Sequence, residues 1–591
     1  MFSWLASRWH FALALAGAAC SLLWAGCSAD AQKLAWRISF NNEADATRAV
    51  RVTAFVNEGG CGGPSVYRST IARGQRAEAP PVLSPGRHGF GAQAVDVNCH
   101  LVAQGCTERD PSDSLMTVQV QLSSSPDVAC AAAACLDTIC AALVSDAGAT
   151  DDGAAAGQAG CPTRGGCPAV VWRQIFGQGR SDTAAGLQPD GLGGFWLGAT
   201  YLGTLALNAG ALNTSQYDAL LVRLDGSGRP VGGTVIGGDG LDAAGALATM
   251  PTGELLFGTK VTGAVKIGNQ TFKSGGDSDG LLVQATTAGQ PLRGFQLASS
   301  AIDQITAVAA LPLGGFAVAL ESYGSPLIAG ARLANEGSYD AAVIAFDAGG
   351  SVRWLKRIAS AGRDAIRALA ATEGGGVYVQ GGVSGPFNEG SVQFGARGEA
   401  TSFLLELSPE GTARRAFSWP SPVAEDMKGA LLARDDVLYF AATLLGTFDV
   451  SGAKLVSEDA RRPLVGKLGP QGVEWARLGN GALSGRASAI ALLGPQTVTF
   501  AGDVSGPVDW GGGALGGGVA TAAFVVGFSS NGNHLFSRAF GATAVQVAGL
   551  VSDPSEQTLT LAGDFDGLMQ FSPTDAVMAR ERDIFVLQLR P

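Results

Sequence analysis

The stretch of sequence that decides the fold covers residues 307–356 and reads AVAALPLGGFAVALESYGSPLIAGARLANEGSYDAAVIAFDAGGSVRWLK. It contains four short apolar runs separated by glycine-rich or polar segments: 307–311, 316–320, 342–346 and 352–356. Short apolar runs that end at turn residues predict β-strands. The inner runs are apolar at nearly every position, which predicts strands that are buried on both faces.

The same pattern repeats along the C-terminal part of the chain with a period of 60 to 62 residues. One turn glycine recurs at Gly228, Gly289, Gly350, Gly411, Gly472 and Gly532. A second recurs at Gly203, Gly263, Gly324, Gly385, Gly446, Gly506 and Gly567. An aspartate recurs at Asp182, Asp242, Asp303, Asp364 and Asp426, and the last two copies replace it by Ala487 and Val545. Because separate series share one period, the chain contains a structural repeat.

Four strands per repeat correspond to one blade of a β-propeller, and seven copies predict a closed ring over residues 169–591. The last copy, which ends with residues 584–591, stops before its fourth strand. Residues 170–175 match a fourth strand, but no copy precedes them. We expect these two segments to pair and complete one blade, since this removes two exposed sheet edges. The glycines of the first series, such as Gly228 and Gly350, are expected to adopt a left-handed backbone conformation that closes a hairpin loop.

This repeat resembles the seven-bladed β-propeller repeat of bacterial surface and secreted proteins. The matching pieces are GGVYVQG at 375–381, LGTFDV at 445–450 and DAAVIAFD at 340–347. The resemblance covers about 420 residues, roughly 70% of the chain. It implies a propeller platform that commonly serves for binding, and it supplies no catalytic residues.

The N-terminus predicts export and lipid anchoring. Arg8 and His10 precede an uncharged apolar run at 11–26, which is typical of a signal peptide over residues 1–26. The run ends in Trp24-Ala25-Gly26-Cys27, which resembles a bacterial lipobox, although a leucine is usual at the position of Trp24. We therefore predict lipidation at Cys27 and a tether over residues 27–35, at the outer membrane or cell surface. Cleavage without lipidation is the alternative.

Residues 36–140 predict a second, smaller all-β domain. Apolar and polar positions alternate in the runs 36–40, 50–56 and 118–122, which indicates half-buried antiparallel strands. The sequence thus predicts a small disulfide-linked β-sandwich-like domain ahead of the propeller. Residues 141–168, whose first part is rich in alanine, glycine and aspartate, are predicted to be a linker.

The cysteines predict disulfides rather than a metal site. Eight remain after Cys20 is removed with the signal peptide and Cys27 is assigned to lipid: Cys61, Cys99, Cys106, Cys130, Cys135, Cys140, Cys161 and Cys167. An even number in an exported chain favours disulfides, and we expect a local bond between Cys161 and Cys167. Zinc is disfavoured because the spacing is unusual and few histidines lie nearby.

The repeated aspartates are the candidate binding residues of the propeller. Asp182, Asp242, Asp303, Asp364 and Asp426 each precede the innermost strand, which predicts carboxylates near one mouth of a central channel. Such a group could bind a cation such as Ca²⁺, or a basic ligand. The favoured alternative is that each accepts hydrogen bonds from backbone amides in its own turn. Two acidic pieces, 277–280 and 564–567, resemble fragments of calcium loops but lack the full spacing, so turn roles are favoured there too.

The sequence favours a binding protein over an enzyme. His534 is the only histidine in the propeller region, and the common hydrolase, metalloprotease and phosphate-loop motifs are absent. The expected ligand is a protein or a carbohydrate, whereas a net charge of −11 disfavours nucleic acid. The alternative is a quinone-dependent dehydrogenase, because Trp172, Trp354 and Trp475 occupy a strand position that carries tryptophan in such enzymes.

Overall fold

In the computed structural model of the chain, the described residues are 34–49, 51–61, 63, 65–72, 83, 86–96, 100–110, 116–129, 161–162, 166–177, 180–208, 210–389, 392–395, 400–420, 429–450, 453–516, 521–572 and 575–591. The predicted signal peptide and Cys27 lie outside these residues. The chain divides into two compact units, 1–154 and 155–591. The division falls inside the segment 141–168 that the sequence predicts to be a linker.

The described residues of the first unit form one helix and six strands. The helix is α1 Glu43–Arg48, and the strands are β1 Leu34–Phe40, β2 Arg51–Glu58, β3 Ser65–Ala72, β4 His88–Val95, β5 His100–Arg109 and β6 Met116–Ala129. Asn42 caps the helix, because its side chain accepts a hydrogen bond from the amide of Ala44. The alternating runs 36–40 and 118–122 lie in strands, as does the described part of the run 50–56.

The described strands of this unit form a single sheet in the order β1-β6-β5-β4-β2-β3, and β1 runs parallel to β6. This differs from the two packed sheets of a sandwich. Alternation identifies which residues form strands, but it does not determine which strand edges pair. Strand β4 is buried along its whole length, so both of its faces are covered.

The second unit is built almost entirely from strands. They are β7 Ala169–Phe176, β8 Thr183–Pro189, β9 Phe195–Tyr201, β10 Thr204–Ala206, β11 Ala211–Asn213, β12 Asp218–Leu224, β13 Pro230–Ile236, β14 Ala243–Thr249, β15 Leu255–Val261, β16 Ala264–Ile267, β17 Gln270–Lys273, β18 Asp279–Ala285, β19 Pro291–Leu297, β20 Asp303–Ala310, β21 Phe316–Ser322, β22 Leu327–Ile328, β23 Ala331–Arg332, β24 Asp340–Phe346, β25 Val352–Ile358, β26 Ala365–Ala371, β27 Val377–Val383, β28 Phe387–Glu389, β29 Val392–Phe394, β30 Thr401–Leu407, β31 Ala413–Pro420, β32 Ala430–Arg434, β33 Val437–Val450, β34 Ala453–Gly469, β35 Gly472–Leu478, β36 Ser484–Leu492, β37 Thr497–Ser505, β38 Val508–Asp509, β39 Ala514–Leu515, β40 Thr521–Ser529, β41 His534–Asp553, β42 Thr558–Ser572 and β43 Asp575–Arg590.

Among these strands, antiparallel pairing produces seven groups of four. They are β8-β9-β12-β13, β14-β15-β18-β19, β20-β21-β24-β25, β26-β27-β30-β31, β32-β33-β34-β35, β36-β37-β40-β41 and β41-β42-β43-β7. Strand β41 is long enough to end one group and begin the next. The groups follow the sequence repeat.

The first strands of the groups contact one another in a cyclic order. Neighbours along the chain touch from β8 through β14, β20, β26, β32 and β36 to β41, and β41 in turn touches β8. The apolar core lies between successive groups. Leu197 and Leu220 of the first group, for example, pack in one cluster with Ile584 and Val586 of β43.

The predicted pairing of the two chain segments is confirmed. Strands β43 and β7 are antiparallel, with Phe585 opposite Ile175 and Leu589 opposite Val170. The ion pair between Arg173 and Asp575 lies beside this ladder, at 2.5 Å. The chain therefore completes its last group of strands with a segment from the beginning of the same unit.

The first series of repeated glycines adopts left-handed backbone conformations, as predicted, with φ between 76° and 132°. The position of Gly532 also requires the absence of a side chain. A Cβ atom there would lie 2.6 Å from the ring of Trp475, which belongs to the preceding group of strands. The Trp475 indole Nε1 donates a hydrogen bond to the Ser530 carbonyl oxygen in the same turn, at 3.0 Å.

Trp354 makes the same contact with the turn at Gly411, and its Nε1 donates to the Pro409 carbonyl oxygen at 2.9 Å. Arg293 and Arg415 take this position in other groups and also donate to carbonyl oxygens of the next turn. The recurring tryptophans therefore connect neighbouring sheets, which explains their spacing without a cofactor.

Two disulfides join described cysteines: Cys61–Cys106 and Cys161–Cys167. The second is the local bond that the sequence predicts. Cys99, Cys130, Cys135 and Cys140 lie outside the described residues. Because disulfides persist in oxidising compartments, the pair indicates an exported protein. None of the helices in the described ranges is both long and apolar enough to cross a bilayer.

Candidate functional site

The first strands of the seven groups surround a cavity of about 1040 Å³. Six of these strands have a register irregularity where one extra residue bulges, as Thr306 and Arg367 do in β20 and β26. A bulge redirects side chains locally, and here the bulged residues line the cavity. Much of the remaining wall consists of alanine and glycine, which keeps the cavity open.

Polar side chains occupy a minority of the wall. Uncharged donors and acceptors come from Gln188, Gln304 and Gln546, while charge comes from Arg367, Arg486 and Asp564. These groups could orient a polar ligand by hydrogen bonds, and the small apolar residues could contact its remaining surface.

The charges of the cavity wall are held by ion pairs. Arg486 contacts Asp503 at 3.0 Å, and Arg582 lies 3.5 Å from Asp564. Two arginines, in contrast, share one carboxylate. Arg367 donates to one oxygen of Glu321, and Arg363 lies 3.7 Å from the other.

Glu321 is fully buried, and burial raises the pKa of its carboxyl group, although Arg367 and Arg363 oppose the shift. Gln304 donates a further hydrogen bond to the carboxylate at 3.0 Å. The site therefore contains one inaccessible acid within a group of donors that extends to the cavity.

The predicted aspartates lie elsewhere. Asp182, Asp242, Asp303 and Asp364 are at most 1% exposed, and none of them lines the cavity. Asp303 is the first residue of β20, and the other three aspartates directly precede the first strand of their groups. Asp426 is outside the described residues. In the sixth copy the bulge register places Gly485, rather than Ala487, at the position of this series, three residues before the bulge.

Hydrogen bonds explain why these aspartates recur. The carboxylate of Asp242 accepts from the amides of Gly238 at 3.0 Å and Thr262 at 2.7 Å, so it joins two loops. Its own amide donates to the Tyr217 carbonyl oxygen of the preceding group at 2.7 Å. Asp364 accepts in the same way from Ser360 and Ser384. These contacts favour the turn role over ligand binding.

Burial also sets the titration of these groups. It raises the pKa of Asp364 to about 6, and the neighbouring charge of Asp340 adds to the shift. It likewise raises the pKa of Asp218 to about 6, with Asp242 as the charged neighbour. Carboxylates thus face each other in pairs where neighbouring groups of strands meet.

In each of the two acidic pieces, one carboxylate oxygen accepts hydrogen bonds from protein donors. Asp279 accepts from the Gly275 amide and the Gln296 side chain, and Asp564 accepts from the Ala184 amide. In the part of the chain that the structure describes, no three histidine, cysteine, aspartate or glutamate side chains are grouped to hold a metal ion.

His534 contacts a serine but not the cavity. Its Nε2 lies 2.9 Å from the Ser537 hydroxyl, and burial lowers the pKa of the imidazole. Ser537 is only 1% exposed, and its amide donates to the Gly166 carbonyl oxygen. The pair therefore stabilises the junction with the disulfide loop, where a substrate could not reach the hydroxyl.

Sequence reasoning missed the residues that make this cavity distinctive. A search for repeats identifies what the copies share, whereas an arginine at the bulge position occurs only once among the described bulges, at Arg367. A useful signal would have been the charged residue that interrupts an otherwise apolar inner strand, such as Arg367 between Ile366 and Ala368.

No protein-family model and no curated protein matches the chain. Two solved structures from B. thetaiotaomicron are similar at 11% identity. One is described as the extracellular domain of a hybrid two-component system and the other as that of a one-component system. Each alignment covers 88% of this chain and 72% of the other, with a TM-score of 0.18. Similarity at this level carries no argument about fold or function.

Proposed function

We propose that residues 169–591 form a seven-bladed β-propeller that binds a protein or glycan ligand at its central cavity without catalysing a reaction. The observation that carries the proposal is the cavity itself, because all seven first strands contribute to its wall. The cyclic contacts between these strands and the pairing of β43 with β7 support a closed ring. Each four-stranded group then corresponds to one blade.

We further propose that the protein is anchored by lipid at Cys27 in the outer membrane or at the cell surface. The sequence before Cys27 and the disulfides support this location. A platform with a central cavity would then be available to ligands outside the cytoplasm.

The experiment is a glycan-array and pull-down comparison of the full chain with two threonine variants. Thr306→Trp fills the cavity, since Thr306 lines it, whereas Thr271→Trp places the same side chain at an exposed position of the β16–β17 hairpin. We expect ligands that bind the wild type and Thr271→Trp to be lost from Thr306→Trp. Equal binding by all three proteins would move the site away from the cavity. An absorbance scan for a bound quinone tests the enzymatic alternative in the same samples.

A further inference from the structure

A second pocket lies where the fourth and fifth groups of strands meet, beside the turns that join their strands. Its volume is about 270 Å³, and its wall includes the turns β26–β27 and β32–β33, strand β31 and Pro470. It shares Ala433 with the central cavity and otherwise has its own lining. This volume is at the small end of ligand pockets, so the pocket fits one small molecule.

The turn between β32 and β33 differs from its counterparts. Two residues, Asp435 and Asp436, connect these strands, whereas four or five residues connect the first two strands of the other groups. Both have left-handed backbones, with φ of 51° and 59°, as a two-residue hairpin turn of this type requires. Glycine is the usual second residue of such a turn, so the turn itself does not account for the side chain of Asp436.

This turn brings exposed carboxylates to the pocket. The Asp435 amide donates a hydrogen bond to the side chain of Glu373 at 3.3 Å, which ties the turn to the neighbouring β26–β27 turn. The Asp435 carboxylate lies 3.4 Å from Arg434, and the two side chains are 77% and 53% exposed. Asp436 is also exposed and has no hydrogen bond or ion pair with a residue in the described ranges. Its carboxylate can therefore receive a cationic group without breaking a contact.

Strand β31 supplies cations to the same pocket. Arg415 is part of the wall, because it donates to Glu406 at 2.6 Å and to the Tyr378 hydroxyl at 2.9 Å. Arg414 is 54% exposed, and its guanidinium lies 4.0 Å from Glu406. That distance is too long for a hydrogen bond. Arg414 can therefore receive an anionic group without losing a hydrogen bond.

The charges of the pocket favour a ligand that carries both signs. The described lining has four carboxylates and three guanidinium groups, so a ligand with a net charge meets repulsion as well as attraction. A zwitterion can place each of its charges beside an opposite one.

We propose that this pocket binds a free α-amino acid, whose carboxylate contacts Arg414 and whose ammonium group contacts Asp436. A guanidinium group matches a carboxylate in geometry as well as charge. Val437 and Pro470 supply apolar surface for the side chain of the ligand. The site is separate from the central cavity, so the inference goes beyond the proposed function.

The experiment begins with thermal melts of the full chain in the presence of each standard amino acid, because a ligand that binds the folded protein raises its Tm. Titration calorimetry then measures the affinity of the most stabilising amino acid. Its N-acetyl derivative lacks the cation, and its amide lacks the anion. We expect each derivative to bind about 10-fold or more weakly, which is the scale of one charge-assisted hydrogen bond.

Two variants locate the site. Arg414→Gln and Asp436→Asn should each weaken binding of the amino acid about 10-fold or more. Asparagine tolerates a left-handed backbone, so Asp436→Asn should retain the turn, and thermal melts establish that both variants fold. The matched control is Asp239→Asn, which changes an exposed aspartate outside the pocket and should leave the affinity unchanged.

Three outcomes would overturn the inference: stabilisation by none of the amino acids, equal affinity for the amino acid and both derivatives, or wild-type affinity in both Arg414→Gln and Asp436→Asn. A loss of affinity in Asp239→Asn equal to that in Asp436→Asn would also overturn it, because the effect would then not be local. These results are independent of the comparison of Thr306→Trp with Thr271→Trp, which tests the central cavity.

Discussion

The close approach of Gly532 to the ring of Trp475 allows the contribution of this connection between neighbouring sheets to the free energy of unfolding to be measured. Replacing Gly532 by alanine has two effects. The residue must keep a left-handed backbone with φ of 76°, which costs a non-glycine residue about 1–2 kcal/mol. Its Cβ would also lie 2.6 Å from the indole ring, so the buried ring must move, and overpacking of this kind costs about 1–3 kcal/mol.

Gly494 is the matched control. Its φ is 77°, but a Cβ there would have no neighbour within 4 Å. Gly494→Ala should therefore lower the free energy of unfolding only by the cost of the left-handed backbone. Gly532→Ala should be less stable than Gly494→Ala by about 1–3 kcal/mol. If the Gly532→Ala ring shift also weakens the Nε1 hydrogen bond to Ser530, the difference moves to the upper end of that range.

The assay is urea unfolding followed by tryptophan fluorescence, since six tryptophans lie within residues 155–591. Combining Gly532→Ala with Trp475→Leu should cost less than the sum of the single changes, because the smaller side chain removes the clash. If Gly532→Ala and Gly494→Ala unfold at the same urea concentration with the same slope, the reasoning about interlocked sheets is refuted.

Three further predictions concern closure, anchoring and pH. A chain that begins at residue 180 should melt well below one that begins at 165, because loss of β7 leaves the edge of β43 unpaired, and equal melting temperatures with a monomeric state would show that the ring closes differently. Cys27→Ser should yield an exported protein that no longer partitions into detergent, and unchanged partitioning would exclude lipidation at Cys27. Asp364 has a pKa of about 6 in the folded protein, so its carboxyl group binds a proton more tightly there than in the unfolded chain. The contribution of this group to the free energy of unfolding therefore falls as pH rises from about 4 through 6. Urea titrations should show Asp364→Asn gaining about 2–3 kcal/mol relative to wild type between pH 4 and pH 7.5, and a pH-independent difference would contradict the assigned titration.

The strands and their repeat could be predicted because the copies share the same local sequence features. Glycine at a left-handed position and an apolar inner strand are requirements of the groups, and an aspartate that accepts backbone amides serves most of them, so these features recur in the sequence. The pairing of β7 with β43 was also predictable, since an incomplete last copy needs a fourth strand. The single sheet of the first unit was not, because alternation carries no information about which edges meet.

In the candidate site, residues that recur in the repeat have structural roles, whereas residues that could recognise a ligand are expected not to recur. The aspartates attracted attention because they recur, but their recurrence follows from their structural role: Asp242 joins two loops and a neighbouring sheet, and Asp364 accepts hydrogen bonds in the same way. A ligand breaks the symmetry of a ring, since it contacts some sectors and not others. Residues that recognise it should therefore be those that the repeat does not explain. Arg367 meets this condition, because it is charged, lines the cavity and occupies the bulge position of its group alone, where the other bulges carry small or uncharged residues. In a repeat protein, the departures from the pattern are the better guide to binding.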